Sequence, residues 1–132
     1  MAGCSIPHWP VQGQISSPFG MRFMGTLPSV HHGVDIPLPV GTPVHAVLPG
    51  RVRFAGTMSG YGNVIWLEHS RGILSVYAHL DRIEVSTGAQ VEHRARIGTS
   101  GATGNVTGPN LHFEIWKGGR PVDPVHFLGG RP

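Results

Sequence analysis

The chain has 132 residues, ten Lys and Arg against seven Asp and Glu, and a formal charge of +3 with histidine neutral. That length suits one domain, and 39% hydrophobic residues in short runs exclude a disordered chain. No stretch reaches the ~18 consecutive apolar residues of a membrane span, and the basic residues stand singly from Arg22 to Arg131 without interleaved aromatics, which excludes a dedicated nucleic-acid surface.

Residues 1–13 read as an N-terminal extension. Cys4 is the only cysteine, so an internal disulfide and a thiolate metal cluster are both excluded. Within Met1-Ala2-Gly3-Cys4 it is either the stump of a bacterial lipoprotein cleavage site or a free thiol at a frayed terminus. Trp9 to Ser17 alternates crudely, as a strand would, and Pro18-Phe19-Gly20-Met21-Arg22 then opens a loop that runs to Val30. Pro37, Pro39 and Pro43 exclude a helix before Val44. From there glycine punctuates short runs: Val44 to Leu48, Arg51 to Ala55, Asn63 to Glu68, Ile73 to Ala78, Gln90 to Val91, Ile97 to Thr99 and Leu111 to Lys117. These lengths predict strands, and no segment carries a convincing 3.6-residue apolar repeat, so the fold class is mostly β.

Two of the strands carry polar groups in telling places. Period two puts His112, Glu114 and Trp116 on one face of the last strand and Leu111, Phe113 and Ile115 on the other. With the apolar face packed inward, His112 looks into a cleft from a rigid mounting. By the same period Ser75, Tyr77 and His79 share a face opposite Leu74, Val76 and Ala78. Far upstream, His31-His32-Gly33-Val34-Asp35 offers two imidazoles and a carboxylate. Imidazole and carboxylate are zinc ligands, and two His with one carboxylate leave a fourth position for water, which separates a catalytic site from a structural one. Such an ion acidifies water and polarises a peptide carbonyl, so amide hydrolysis is the chemistry expected. Either His31 or His32 supplies the upstream imidazole; spacing to Asp35 favours His31.

Seven segments, in order, carry a more specific signal: Ser17-Pro18-Phe19-Gly20-Met21-Arg22; His31-x-Gly33-x-Asp35; Gly41-Thr42-Pro43-Val44-x-Ala46-x-x-x-Gly50-x-Val52; Gly60-Tyr61-Gly62-Asn63; Tyr77-Ala78-His79-Leu80; Ile97-Gly98-x-x-Gly101-x-Thr103-Gly104; and Thr107 to Glu114. On these the chain resembles the M23 zinc metallopeptidases, the lysostaphin and LytM-type cell-wall endopeptidases, from about Ser16 to Leu128. The resemblance implies a single catalytic domain over 1–132 with a barrel-sandwich-like fold, its antiparallel sheet lining a groove with loop walls, one of them Phe23 to Val30. It implies Zn2+ held by His31, Asp35 and His112, with His79 as base or transition-state stabiliser. It also implies peptidoglycan as substrate and a location outside the cytoplasm, in the periplasm, the envelope or the medium. A monomer is expected, and diffuse positive charge suits a polyanionic wall polymer.

One residue departs from the family pattern. Asn110 stands where active members usually carry a second catalytic histidine, and two residues from His112 it shares the cleft face. An amide can donate to an oxyanion but cannot carry a proton near neutral pH. A second reading is therefore a weak or inactive domain of the same fold that binds cell wall or activates another hydrolase, although all three ligands are present. A carrier domain, suggested by Gly41 to Val52, would need a lysine on an exposed hairpin, and the sole lysine is Lys117. Glu114 is either a partner that orients a ligand imidazole or an exposed strand carboxylate. Arg22 contacts a substrate carboxylate or braces its loop.

Overall fold

The computed structural model describes residues 6–24 and 27–132, and side chains outside 21–30; Cys4 and the Arg22 side chain lie outside what is described. Two strands, β1 (Gly20–Met24) and β2 (Leu27–His31), pair with each other as a separate antiparallel sheet. The rest enter one antiparallel sheet: β3 (Val34–Pro37), β4 (Pro43–His45), β5 (Gly50–Met58), β6 (Gly62–Glu68), β7 (Ile73–Ile83), β8 (Gln90–Val91), β9 (Arg96–Ser100), β10 (Asn110–Lys117) and β11 (Arg120–Val122). Its order is β11-β10-β7-β6-β5-β8, with β9 on β7 and β4 on β9. β3 and β11 share the outer edge of β10, β3 along Asn110–Phe113 and β11 along Ile115–Lys117. The architecture is thus mostly β and the sheet is open.

Two expectations need correction, and two short elements were not anticipated. The segment Phe23 to Val30, read as a loop, carries strand pairing, which Pro28 permits because a two-stranded sheet leaves one edge of each strand without ladder bonds. Trp9 to Ser17 forms no strand; Trp9 instead lies against Phe113, ring centroids 5.8 Å apart, and Val11 is buried in the core. β3 forms in spite of Pro37, which ends it on an edge. A helix of five residues, α1 (Pro124–Leu128), is too short to show a period. Its signals are local: Asp123 accepts the Val125 N–H, Pro124 opens the first turn, and Gly129 closes it in the left-handed region.

Alternation decides the two sheet faces. Leu111, Phe113 and Ile115 of β10 join Val52, Ile65, Leu67, Tyr77 and Ile97 in the main core, all with 0% exposure. A polar chain crosses this core without an unpaired group: Val47 N–H donates to the Tyr77 hydroxyl at 3.1 Å, Tyr77 to Ser75 Oγ at 2.7 Å, and Ser75 to His69 Nε2 at 2.7 Å. His69 Nδ1–H closes it on the Pro49 carbonyl at 2.8 Å. Burial, only partly offset by that carbonyl, holds the His69 pKa below its ordinary value. Among the described residues the opposite face carries a small cluster, Val64, Val76 and Ala78, roofed by Tyr61, Trp66 and Trp116.

Candidate metal centre

Strand pairing assembles the site from three distant segments. β2 ends on His31, the chain turns at His32-Gly33, and β3 then runs antiparallel to β10 in a register that sets Asp35 opposite His112. Gly33 is required there by contact, since a Cβ at this position would run into the Phe113 carbonyl oxygen. On the other side of β10, His112 stands opposite Ala78 of β7, one residue before His79.

His79 reaches the same place by an irregularity. The sequence groups His79 on one face with Ser75 and Tyr77, and strict alternation would therefore carry it into the core, where the structure buries those two. Between the pairs Asn63↔Leu80 and Ile65↔Tyr77, however, β7 spends one residue more than β6, and His79 takes φ 63°. The bulge in β7 turns its ring out to 5.9 Å from that of His112, centroid to centroid, while Leu80 returns to the core. Its backbone N–H is held by the Tyr61 carbonyl at 2.8 Å.

The donor atoms converge. His112 Nδ1 lies 2.8 Å from Asp35 Oδ1, and His31 Nε2 lies 3.4 Å from Asp35 Oδ2. Ligand atoms of His31, Asp35 and His112 all fall within 4.8 Å of one another. His32, the alternative ligand, is exposed and points elsewhere, its ring edge-on to Trp116 at 6.1 Å. Each imidazole has its outer nitrogen tied to oxygen: His31 Nδ1–H to the Pro18 carbonyl at 2.8 Å, His79 Nδ1–H to the Thr103 carbonyl at 2.8 Å, and His112 Nε2–H to Glu114 Oε2 at 2.7 Å. Such bonds fix the tautomer and ring orientation of metal-ligating histidines. The donor set therefore fits a divalent zinc ion.

Glu114 is the part of the site whose role the sequence left open. At 1% exposure it is no surface carboxylate. Besides His112 it accepts the Tyr61 hydroxyl on Oε2 at 2.8 Å and the Trp116 indole N–H on Oε1 at 2.7 Å. Burial works against ionisation of Glu114, but these bonds, that of His112 foremost, outweigh it and lower its pKa. Burial also opposes the charge on His112, yet hydrogen bonds to Asp35 and Glu114 raise its pKa to about 9. Asp35 is desolvated too, and the two imidazoles beside it hold its carboxyl well below the usual range. His79 has no carboxylate partner; burial lowers its pKa and keeps it neutral.

A cleft of about 300 Å³ opens over the ligands, with Ser59, Gly60, Tyr61, His79 and Asn105 in its walls. Asn110 is not in those walls: its Nδ2 donates to the Gly108 carbonyl at 3.3 Å and its Oδ1 is buried without a partner. A larger hollow of about 610 Å³, between His8, His45, Arg94 and Arg131, brings no such group of ligands together among the described residues. Tyr61 and Asn105 are wall residues that sequence reasoning did not single out; the only signal was Tyr61 between two glycines.

Comparison with known proteins places this chain in a family. The description of peptidase family M23 matches residues 29–124. The DD-carboxypeptidase/endopeptidase Mpg of Neisseria meningitidis serogroup B is 42% identical over 117 residues, 87% of this chain and 27% of that protein. The peptidoglycan DD-endopeptidase ShyA of Vibrio cholerae is 41% identical over 126 residues, 92% of this chain and 29% of that one. The murein hydrolase activator NlpD of Escherichia coli is 36% identical over 125 residues, 94% and 31%. A crystal structure of a zinc-containing peptidase from Vibrio cholerae superposes with a TM-score of 0.83 at 36% identity, over 91% of this chain and 38% of that one. The chain thus spans under a third of the length of these three relatives.

Proposed function

We propose, on the footing that the chain belongs to peptidase family M23, that it is a zinc-dependent metalloendopeptidase hydrolysing peptide bonds of bacterial peptidoglycan. The observation that carries this reading is the convergence of His31 Nε2, the Asp35 carboxylate and His112 Nδ1 beneath an open cleft. Zinc held there supplies Lewis-acid polarisation of the scissile carbonyl and an acidified water.

The chain's own residues do the rest. Glu114 holds the His112 proton on Nε2, which leaves Nδ1 as the donor to the metal. His79, neutral and with Nδ1–H fixed on Thr103, presents Nε2 to accept a proton from the attacking water and return it to the leaving amine. Asn110 lies outside the cleft walls, so to serve the oxyanion it would have to give up its 3.3 Å bond to Gly108 and turn toward the cleft. Substrate of this kind places the enzyme outside the cytoplasm, and no helix among the described residues is long and apolar enough to cross a membrane.

The test is mass spectrometry of fragments released from purified peptidoglycan of several cross-link types by the zinc-loaded protein, with His112→Ala as control. New peptide termini that depend on His112 establish the endopeptidase and name its bond. Zinc-loaded protein that is inert on every wall type favours the second reading, a domain that binds wall or activates another hydrolase. Asn110 in place of a proton carrier, and the likeness to an activator, are what support that reading.

A further inference from the structure

The open face of the sheet is unusual beside the metal centre. Where a solvent-facing sheet ordinarily presents polar side chains, a row of aligned residues, Phe54, Trp66, Val76 and Glu114, crosses β5, β6, β7 and β10. At ~4.8 Å between strands this row runs about 14 Å outward from the carboxylate that holds His112. Phe54 is 37% exposed, and its ring leans over Gly56, where a Cβ would meet it at 3.0 Å. Trp66 and Trp116 lie side by side with centroids 6.2 Å apart, both half-buried. These rings form a shelf continuous with the cleft, because Tyr61 lines the cleft and packs edge-on to Trp66 at 6.5 Å, and Trp116 donates to Glu114.

Trp66 carries a cost that the fold does not need. Its indole N–H is buried with no partner, a burden that an aliphatic side chain covering Val64 and Val76 would avoid. A residue kept against local stability points to use of its ring. The shelf is narrow and has a polar margin: Arg53 and Glu68, both exposed, pair at 3.3 Å beside Phe54 and Trp66, and His32 stands exposed at the edge of Trp116. A flat aromatic surface with charged and hydrogen-bonding groups at its rim matches a ligand with an apolar ring face and a polar circumference.

We propose that the shelf of Phe54, Trp66 and Trp116 binds a pyranose ring of the glycan strand from which the scissile peptide hangs. The proposal rests on the peptidoglycan reading above and names the part of that polymer recognised away from the metal. Trp116 is unsuited to a test because it also holds Glu114. Phe54→Ala and Trp66→Leu alter neither a ligand nor a residue that lines the cleft; Trp66→Leu also removes the edge contact to Tyr61, so thermal unfolding and zinc retention of each variant control for folding and for the site.

Binding is read first, by titrating peptide-free glycan oligosaccharides into the protein and following amide shifts by NMR, with and without zinc. Wild type should bind, and each variant should bind about fivefold more weakly, the order of one stacked contact. Cleavage is read second, comparing cross-linked peptides that carry their disaccharides with the same peptides freed of sugar. kcat/KM should fall by about fivefold on the sugar-bearing substrate only. Unchanged glycan affinity in both variants overturns the proposal, as does an equal loss on both substrates, which would make the shelf a peptide subsite. Glycan binding that weakens in the variants supports the shelf even if the wild type cleaves neither substrate, a result that would count against the peptidase reading alone.

Discussion

Replacing Glu114 by glutamine tests whether a buried carboxylate sets the metal affinity of this site. Glu114→Gln keeps volume and shape but turns one acceptor oxygen into an NH2 group, and all three neighbours of Glu114 are donors. With the NH2 at the Oε1 position, the Trp116 N–H faces another donor and a buried hydrogen bond is lost, at about 1–3 kcal/mol. With the NH2 at the Oε2 position, the Tyr61 hydroxyl can turn round, but His112 Nε2 can accept only if its proton moves to Nδ1, the nitrogen required for the metal. Neither orientation preserves the present arrangement. Loss of such an outer partner lowers metal affinity by roughly 10–100-fold, or about 1.4–2.7 kcal/mol. Competition against a chromophoric zinc chelator near neutral pH measures it, with far-ultraviolet circular dichroism to show the fold intact. Tyr61→Phe, which removes a donor and leaves the His112–Glu114 bond, should change affinity by less than about threefold. A Glu114→Gln protein that binds zinc within about twofold of wild type would refute the reasoning.

Asp35→Ala should abolish zinc retention at neutral pH, read by elemental analysis after gel filtration, while the fold persists because the strand contacts of Asp35 to Ser16 and Ser17 are made by its backbone; full occupancy would remove Asp35 from the site. Asn110→His should raise turnover on muropeptides by about tenfold or more if the position lacks only a proton carrier, and an unchanged or lower rate would show that the amide already does what this place requires. His69 takes up a proton in the unfolded chain near the ordinary histidine value of about 6.5 but only at lower pH when folded. The unfolded state therefore binds more protons in that window, and stability should fall as pH drops below about 6.5; urea melts of His69→Gln should show a flatter acid limb, and an identical limb would exclude His69 as its source. Gly33→Ala should lower stability by about 2 kcal/mol or more through its clash with β10, checked by thermal unfolding, and a neutral effect would mean the β2–β3 turn can shift without harm.

How much of this could be read from the sequence depends on whether a contact follows a period or breaks one. β10 follows one, so the buried Leu111, Phe113 and Ile115 and the outward His112 and Glu114 were legible from alternation alone. Alternation could not say that Glu114, on the outward face, is 1% exposed, because the groups that cover it come from Tyr61, 53 residues away, and from Trp116. The edge strand β3 was hidden by Pro37 and by its length of four residues, and α1 by being less than two turns.

His79 is the clearest case of the two-residue period failing. By period two it belongs to the core face with Tyr77, and a neutral, buried histidine there would be a structural residue. A single extra residue in β7 and a left-handed backbone at His79 reverse its direction. Left-handed φ in a non-glycine residue is costly, of order 1 kcal/mol or more, and is kept only where the surroundings over-determine it. Here the Tyr61 carbonyl holds the His79 N–H, and the Thr103 carbonyl holds its Nδ1–H. Both anchors belong to segments that cross at a contact where a Cβ on Gly62 would overlap Gly104 and Thr103. The glycines of Gly60-Tyr61-Gly62 and Thr103-Gly104 thus act at a distance: they bring two backbone carbonyls to one histidine and so aim its Nε2 at the cleft. His79→Ala should accordingly leave the backbone strain in place, since alanine keeps the Cβ that causes it, whereas His79→Gly should be the more stable of the two by about 1 kcal/mol. The opposite order in chemical denaturation would show that the bulge, and not the imidazole, sets the conformation at no local cost.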